Sequence, residues 1–211
     1  MIAFLFAAAL AAMPKIDIVY PPFGTIYDRG CAKQELIAEA GKLRSSLQSQ
    51  WDAEGPKYFS VVSQEAGLPF PYREMQAYLS VCDISTMSMP LIINVRSFLP
   101  SSKEHPPEGD FSEKLFHELM HHYVAPVHNA SALRAKYANE HAVVLNHLHV
   151  MALEKLALTR LGKTEELKYL DWEYRTDPPP AHYKRAWEIV NDIEGYRAFI
   201  KELQGAARTN P

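Results

Sequence analysis

The chain lacks the features that would tie it to nucleic acid or to a bilayer. Its 22 Lys and Arg are outnumbered by 25 Asp and Glu, for a net charge of −3. There is no lysine- or arginine-rich tract, so the electrostatic footprint of a polyanion-binding protein is missing and no nucleic-acid partner is expected. Long hydrophobic runs are missing too. The one continuous apolar stretch, Met1 to Ala12, falls well short of the roughly 20 residues needed to span a bilayer, so no stable membrane span is expected. Cysteine is scarce: Cys31 and Cys82 are the only two, and neither has the CxxC spacing of a thiolate zinc site or a redox motif. With no internal repeat and no linker, residues 13–211 read as a single domain, long enough to bury a substantial core.

The leading stretch has the apolar, alanine-rich character of a signal-peptide core, with Ala9-Leu10-Ala11 as a cleavage site. No Lys or Arg precedes it, so the amino terminus alone supplies positive charge. On this reading residues 1–12 are a signal peptide and the mature chain is exported, to a periplasm or to the medium. Export would suit a disulfide between Cys31 and Cys82, the other reading being two buried thiols.

Fifteen prolines punctuate the chain. Residues 16–20 read as a short strand, and Leu36, Ile37, Ala40, Leu43 and Leu47 mark a helix from Cys31 to about Ser49. Gly55-Pro56 is expected to end that region, with a second helical stretch over 57–66. Residues 75–83 and 91–99 read as strands. Downstream the pattern is helical: 110–125, 132–138, 139–161, 164–175, and a last helix or helix pair over 181–204.

One pentapeptide dominates the functional reading. Residues 117–122 are HELMHH, and His117-Glu118-Leu119-Met120-His121 forms the HExxH pattern. On a helix two histidines four apart point the same way and can chelate one Zn²⁺, with Glu118 in reach of a water on that metal. Asp110 and Ser112 are candidate N-caps, Phe111, Leu115, Phe116, Leu119 and Tyr123 make an apolar stripe, and Pro126 ends the run.

A catalytic zinc usually takes three protein ligands. The extension HExxHxxGxxH fails, since Val124 and Val127 stand where Gly and His are required. Asn139-Glu140 follows, with eighteen residues between His121 and Glu140. HExxH followed at this distance by Asn-Glu resembles the gluzincin zinc peptidases, over about residues 117–140. The resemblance implies an α+β, zincin-like fold, with a small N-terminal sheet and a mostly helical C-terminal half in which the HExxH helix is central. It implies His117, His121 and Glu140 as zinc ligands, Glu118 as general base, and a Tyr or His from the C-terminal part as oxyanion donor. Tyr174, His182 and Tyr183 are the candidates, with His182 and Tyr183 preferred. It also suggests that 91–99 is an edge strand able to pair with an extended substrate. Rival third ligands are His141, His147, His149 and Glu154; His147 falls on nearly the same helical face as Glu140. Two departures stand against the likeness. Val144 occupies the position where the family carries an acidic supporting residue, and the chain is short. Arg175 and Arg185 are candidates to grip a substrate carboxylate.

The expectation is therefore an exported zinc metallopeptidase acting on a peptide or protein. Its alternative is a zinc-binding protein without catalysis, serving structure or partner binding.

Overall fold

The computed structural model describes residues 13–20, 28–103, 107, 110–176 and 181–209. The signal-peptide reading of residues 1–12 lies outside them. The architecture is α+β: a three-stranded sheet near the N-terminus, then a mostly helical remainder. Strand β1 (Lys15–Val19) leads to helix α1 (Gln34–Ala66), strand β2 (Glu74–Ser80) and strand β3 (Ile92–Asn94). Helix α2 (Asp110–Val124) carries HELMHH, and α3 (Ala132–Lys136), α4 (Ala142–Arg160), α5 (Thr164–Arg175), α6 (Ala181–Glu188) and α7 (Tyr196–Thr209) complete the chain.

Both strand pairs are parallel, in the order β1-β2-β3. A parallel neighbour needs a crossover, and α1 supplies it between β1 and β2. Ile16 and Ile18 of β1, Ala77 and Leu79 of β2, and Ile93 of β3 point into the core.

The expected break at Gly55-Pro56 does not occur. Helix α1 runs through both residues for 33 positions. Proline costs a helix interior about 3 kcal/mol. Here the cost is met by burial on both sides of it, with Trp51 before and Tyr58, Phe59 and Val62 after all in the core. Each such side chain contributes roughly 1.5–3 kcal/mol, so packing outweighs propensity. Gly55 serves the same packing, because a Cβ there would lie 2.6 Å from the Trp51 ring. The expected strand 91–99 is likewise shorter. Only Ile92–Asn94 is extended, and Arg96–Phe98 turns into a 3₁₀ helix.

Helix α2 is buried on almost every face. Phe116 stacks on Tyr58 of α1 with ring centres 4.8 Å apart. The Tyr123 hydroxyl donates to the Leu68 carbonyl at 2.9 Å and accepts from its amide at 3.1 Å, locking the end of α1 onto α2. Helix α4 is the hub, packed against α1, α2, α6 and α7. Cys31 and Cys82 form a disulfide, which ties the segment before α1 to the end of β2.

Gly55→Ala is expected to destabilise the fold by about 1–3 kcal/mol through overpacking against Trp51. Urea denaturation measures this; an unchanged midpoint would show that the ring can move aside freely.

Candidate metal centre

Helical geometry sets the first two side chains. His117 and His121, one turn apart on α2, project from the same face with ring centres 5.1 Å apart. Facing them is His147, on the second turn of the hub helix α4. Its ring centre is 5.2 Å from that of His117 and 4.7 Å from that of His121. The three imidazoles form a near-equilateral triangle, and one nitrogen of each lies within 4.8 Å of the other two.

Hydrogen bonds decide which nitrogen each ring turns inward. His147 Nδ1 is 2.7 Å from the Val143 carbonyl oxygen. A carbonyl can only accept, so Nδ1 carries the proton and Nε2 keeps its lone pair. His117 Nδ1 is 2.7 Å from Glu154 Oε1; when that carboxyl is ionised it accepts from Nδ1 and leaves Nε2 with its lone pair. His117 Nε2 and His121 Nε2 are 3.3 Å apart. Two nitrogens on a tetrahedral zinc at about 2.0–2.1 Å stand about 3.3–3.4 Å from each other. That edge of the triangle already has the right length, and the wider edges need to close by up to about 1.5 Å. The donor set fits Zn²⁺.

Electrostatics favour neutral rings. Burial, then repulsion from His117 and His147, pushes His121 down to about 2. Burial and His117 push His147 down to about 3. Neither imidazole has to shed a proton at neutral pH before accepting a cation.

Glu154, two turns beyond His147 on α4, orients the cluster. It is 1% exposed, and burial pushes its carboxyl up to about 8. The Tyr174 hydroxyl of α5 lies 3.3 Å from Glu154 Oε2 and 3.3 Å from His117 Nδ1. Glu113, one turn before His117, is buried beside Glu154, and that burial holds it well above the usual carboxylate range. A histidine tied to a buried carboxylate is the usual support for a metal-bound imidazole.

Glu118 is 7% exposed and lines a cavity of about 260 Å³ together with His117, Glu154, Tyr174 and Tyr183. Burial raises its pKa, against a lowering effect of His117.

The expected site residues therefore divide. The structure brings together His117, Glu118, His121 and Tyr183, the last with its ring centre 4.3 Å from that of His147. It does not bring in Glu140. The helix expected to begin at Asn139-Glu140 begins instead at Ala142, with His141 as N-cap. Glu140 sits in the preceding turn, its carboxylate paired with Arg185 at 2.8 Å. His147, one of the named rivals, stands in its place. His182 is also diverted: it stacks on His141 with ring centres 3.9 Å apart and is not among the cavity residues. Tyr174 is committed to Glu154 and His117. Of the other rivals, His149 pairs with Glu202 at 2.7 Å. His122 Nε2 donates to the Ser88 carbonyl at 2.8 Å, holding the loop that follows β2.

Sequence reasoning missed Glu113, and named Glu154 only as a rival third ligand where the structure pairs it with His117. The available signal was spacing: Glu113 lies four before His117, and Glu154 seven after His147, each on the same helical face.

No protein-family model, curated protein or solved structure matches the chain.

Two outcomes are expected for metal binding. His147→Ala should lose or greatly weaken a single bound zinc, while Glu140→Ala keeps it, as read by native mass spectrometry; the reverse pattern would restore Glu140 as ligand. Proton competition should be weak, because His121 and His147 stay neutral to about 2 and 3. Lowering the pH from 7.0 to 5.5 should cost less than about tenfold in zinc affinity, against nearly a hundredfold for two imidazoles of ordinary pKa. A steep loss in isothermal titration would show that these rings protonate normally.

Proposed function

We propose that the chain is a zinc-dependent hydrolase that cleaves peptide bonds at the His117, His121 and His147 centre. One observation carries this reading: three imidazoles converge, two of them (His121 and His147) held neutral by burial, beside a cavity whose wall includes Glu118. A Zn²⁺ held there would polarise a carbonyl and lower the pKa of a water molecule toward neutrality.

The chain's own side chains then have distinct tasks. Glu118 takes the proton of the attacking water and returns it to the leaving nitrogen. A carboxyl raised by burial is suited to both transfers, since its pKa lies nearer the working pH. Glu154 fixes the tautomer and orientation of His117, with Tyr174 bracing both. Tyr183, which borders the cavity and packs against His147, is positioned to donate to the oxyanion that develops on the attacked carbonyl.

Three protein ligands leave a fourth position for water or substrate, which favours catalysis over a purely structural zinc. The zincin-like part of the likeness, an HExxH helix behind a small sheet, belongs to this proposal. Its gluzincin part rested on Glu140 as third ligand and is not carried over, the third ligand proposed here being His147. Export through residues 1–12 belongs to it as well, and the Cys31–Cys82 disulfide suits an oxidising compartment.

Glu118→Gln should still bind one zinc by native mass spectrometry and lose about a hundredfold to ten-thousandfold in peptide turnover. Turnover equal to that of the unaltered protein would remove Glu118 as the base.

A further inference from the structure

A sheet can hold an extended peptide only through backbone groups left open along an outer edge. On β1 those groups are met by side chains of α1. Gln48 Nε2 donates to the Ile16 carbonyl at 3.0 Å, and Gln48 Oε1 accepts from the Ile18 amide at 2.7 Å. Arg44 donates to the Ile18 carbonyl at 3.2 Å.

On β3 the chain's own loop takes the same role. The Leu91 carbonyl and the Val95 amide bond to β2, so alternation turns the backbone of Ile92 and Asn94 outward. Met87 and Ile92 exchange both backbone hydrogen bonds at 2.9 Å, as an antiparallel bridge. The Asn94 amide donates to Thr86 Oγ1 at 3.1 Å. Strand addition, the mode expected for an edge at 91–99, is therefore closed at Ile92 and at the Asn94 amide.

The loop is fastened in that place. Asn94 Nδ2 donates to the carbonyls of Cys82 and Ile84 at 3.1 and 2.6 Å, and His122 donates to that of Ser88. The disulfide fixes Cys82. The loop also reaches the centre, because Ser85 and Thr86 line the same cavity as His117 and Glu118. One short segment thus occupies both the open side of β3 and a wall of the cavity, which is the path of a strand added there.

On the premise that this centre is a zinc hydrolase, we propose that residues 85–88 are a strap that competes with substrate for β3. The strap keeps long extended polypeptide off the sheet and restricts turnover to short peptides that reach the centre without pairing to it. Asn94 is the specificity-determining residue, since it holds the strap through both its backbone amide and its side chain.

The test compares the unaltered chain, Asn94→Ala and Met87→Pro, each zinc-loaded, on a hexapeptide and on an unfolded protein. Asn94→Ala removes the two bonds to the loop carbonyls, and Met87→Pro removes the amide that donates to Ile92. The unaltered chain should cleave the hexapeptide faster than the unfolded protein, an arm that needs no variant. Each variant should keep one zinc and raise the relative rate on the unfolded protein by about threefold to tenfold, the worth of one such hydrogen bond. Hydrogen exchange at the Ile92 and Asn94 amides should quicken in the same variants. An unaltered chain that prefers the unfolded protein, or variants with faster exchange and an unchanged rate ratio, would overturn the strap and leave the hydrolase standing. Exchange that stays slow in both folded variants would also overturn it, because Asn94 and Met87 would then not hold the segment. Zinc-loaded chains that cleave neither probe remove the hydrolase reading, and this inference falls with it.

Discussion

The structure depends on one constraint: helix α4 is buried around most of its circumference yet carries His147, His149 and Glu154. An unpaired polar group in such a setting costs several kcal/mol, so each must find a partner when the neighbouring helices dock. His149 finds Glu202 of α7, whose other bonds cap the start of α3 through the Leu133 amide and Ser131. Glu154 finds His117 of α2 and Tyr174 of α5. His147 bonds back to the Val143 carbonyl of its own helix. The register of α4 against three other helices is thereby specified by polar pairs as well as by apolar fit. The candidate metal centre lies on one of those seams.

The sheet serves the centre indirectly. It is too small to form a layer of its own, and its main role is to end β2 and start β3 beside α2. The connection between them has to return parallel without a helix, so it folds over the β3 edge and is fastened by Asn94, His122 and the disulfide. A long, unpaired edge invites association with other chains. Covering it with Thr86 and Met87 removes that hazard and at the same time builds a cavity wall, so one loop answers two requirements.

Much of the fold was legible because it is local. Apolar spacing located α2, α4 and α5, and alternation located β2 within three residues at its far end. Gly55-Pro56 misled because its local cost is real, while the compensating burial of Trp51, Tyr58 and Phe59 depends on elements distant in the chain. His117, Glu118 and His121 were legible because one helical turn brings them together without help from the rest of the fold. The third corner was not. Glu140 and His147 are both compatible with the spacing, and the choice turned on where α4 begins. His141 caps the helix through its own ring nitrogen, accepting from the Val143 amide. That capping leaves Glu140 in the turn outside, facing Arg185, and carries His147 inward. The helix starts three residues later than expected, at 142 and not 139, which separates Glu140 from the cluster, and boundaries are the least readable part of a sequence.

Stability alone would not build this cluster. Apolar side chains of similar volume at 117, 121 and 147 would pack the α2–α4 seam without depressing any pKa and without requiring Glu154 in the core. The rings instead sit near enough to repel one another when charged, and that repulsion reinforces burial in keeping His121 and His147 neutral. Two of the three turn Nδ1 outward to fixed partners, the Glu154 carboxyl and the Val143 carbonyl. The His147 Nε2 therefore carries a lone pair, and the His117 Nε2 stands 3.3 Å from His121 Nε2 in a hydrogen bond that a cation would replace. A local rule of core composition is broken at three positions on two helices. The common effect of those departures is a preorganised set of nitrogen donors, and on that set the proposal of a divalent cation rests.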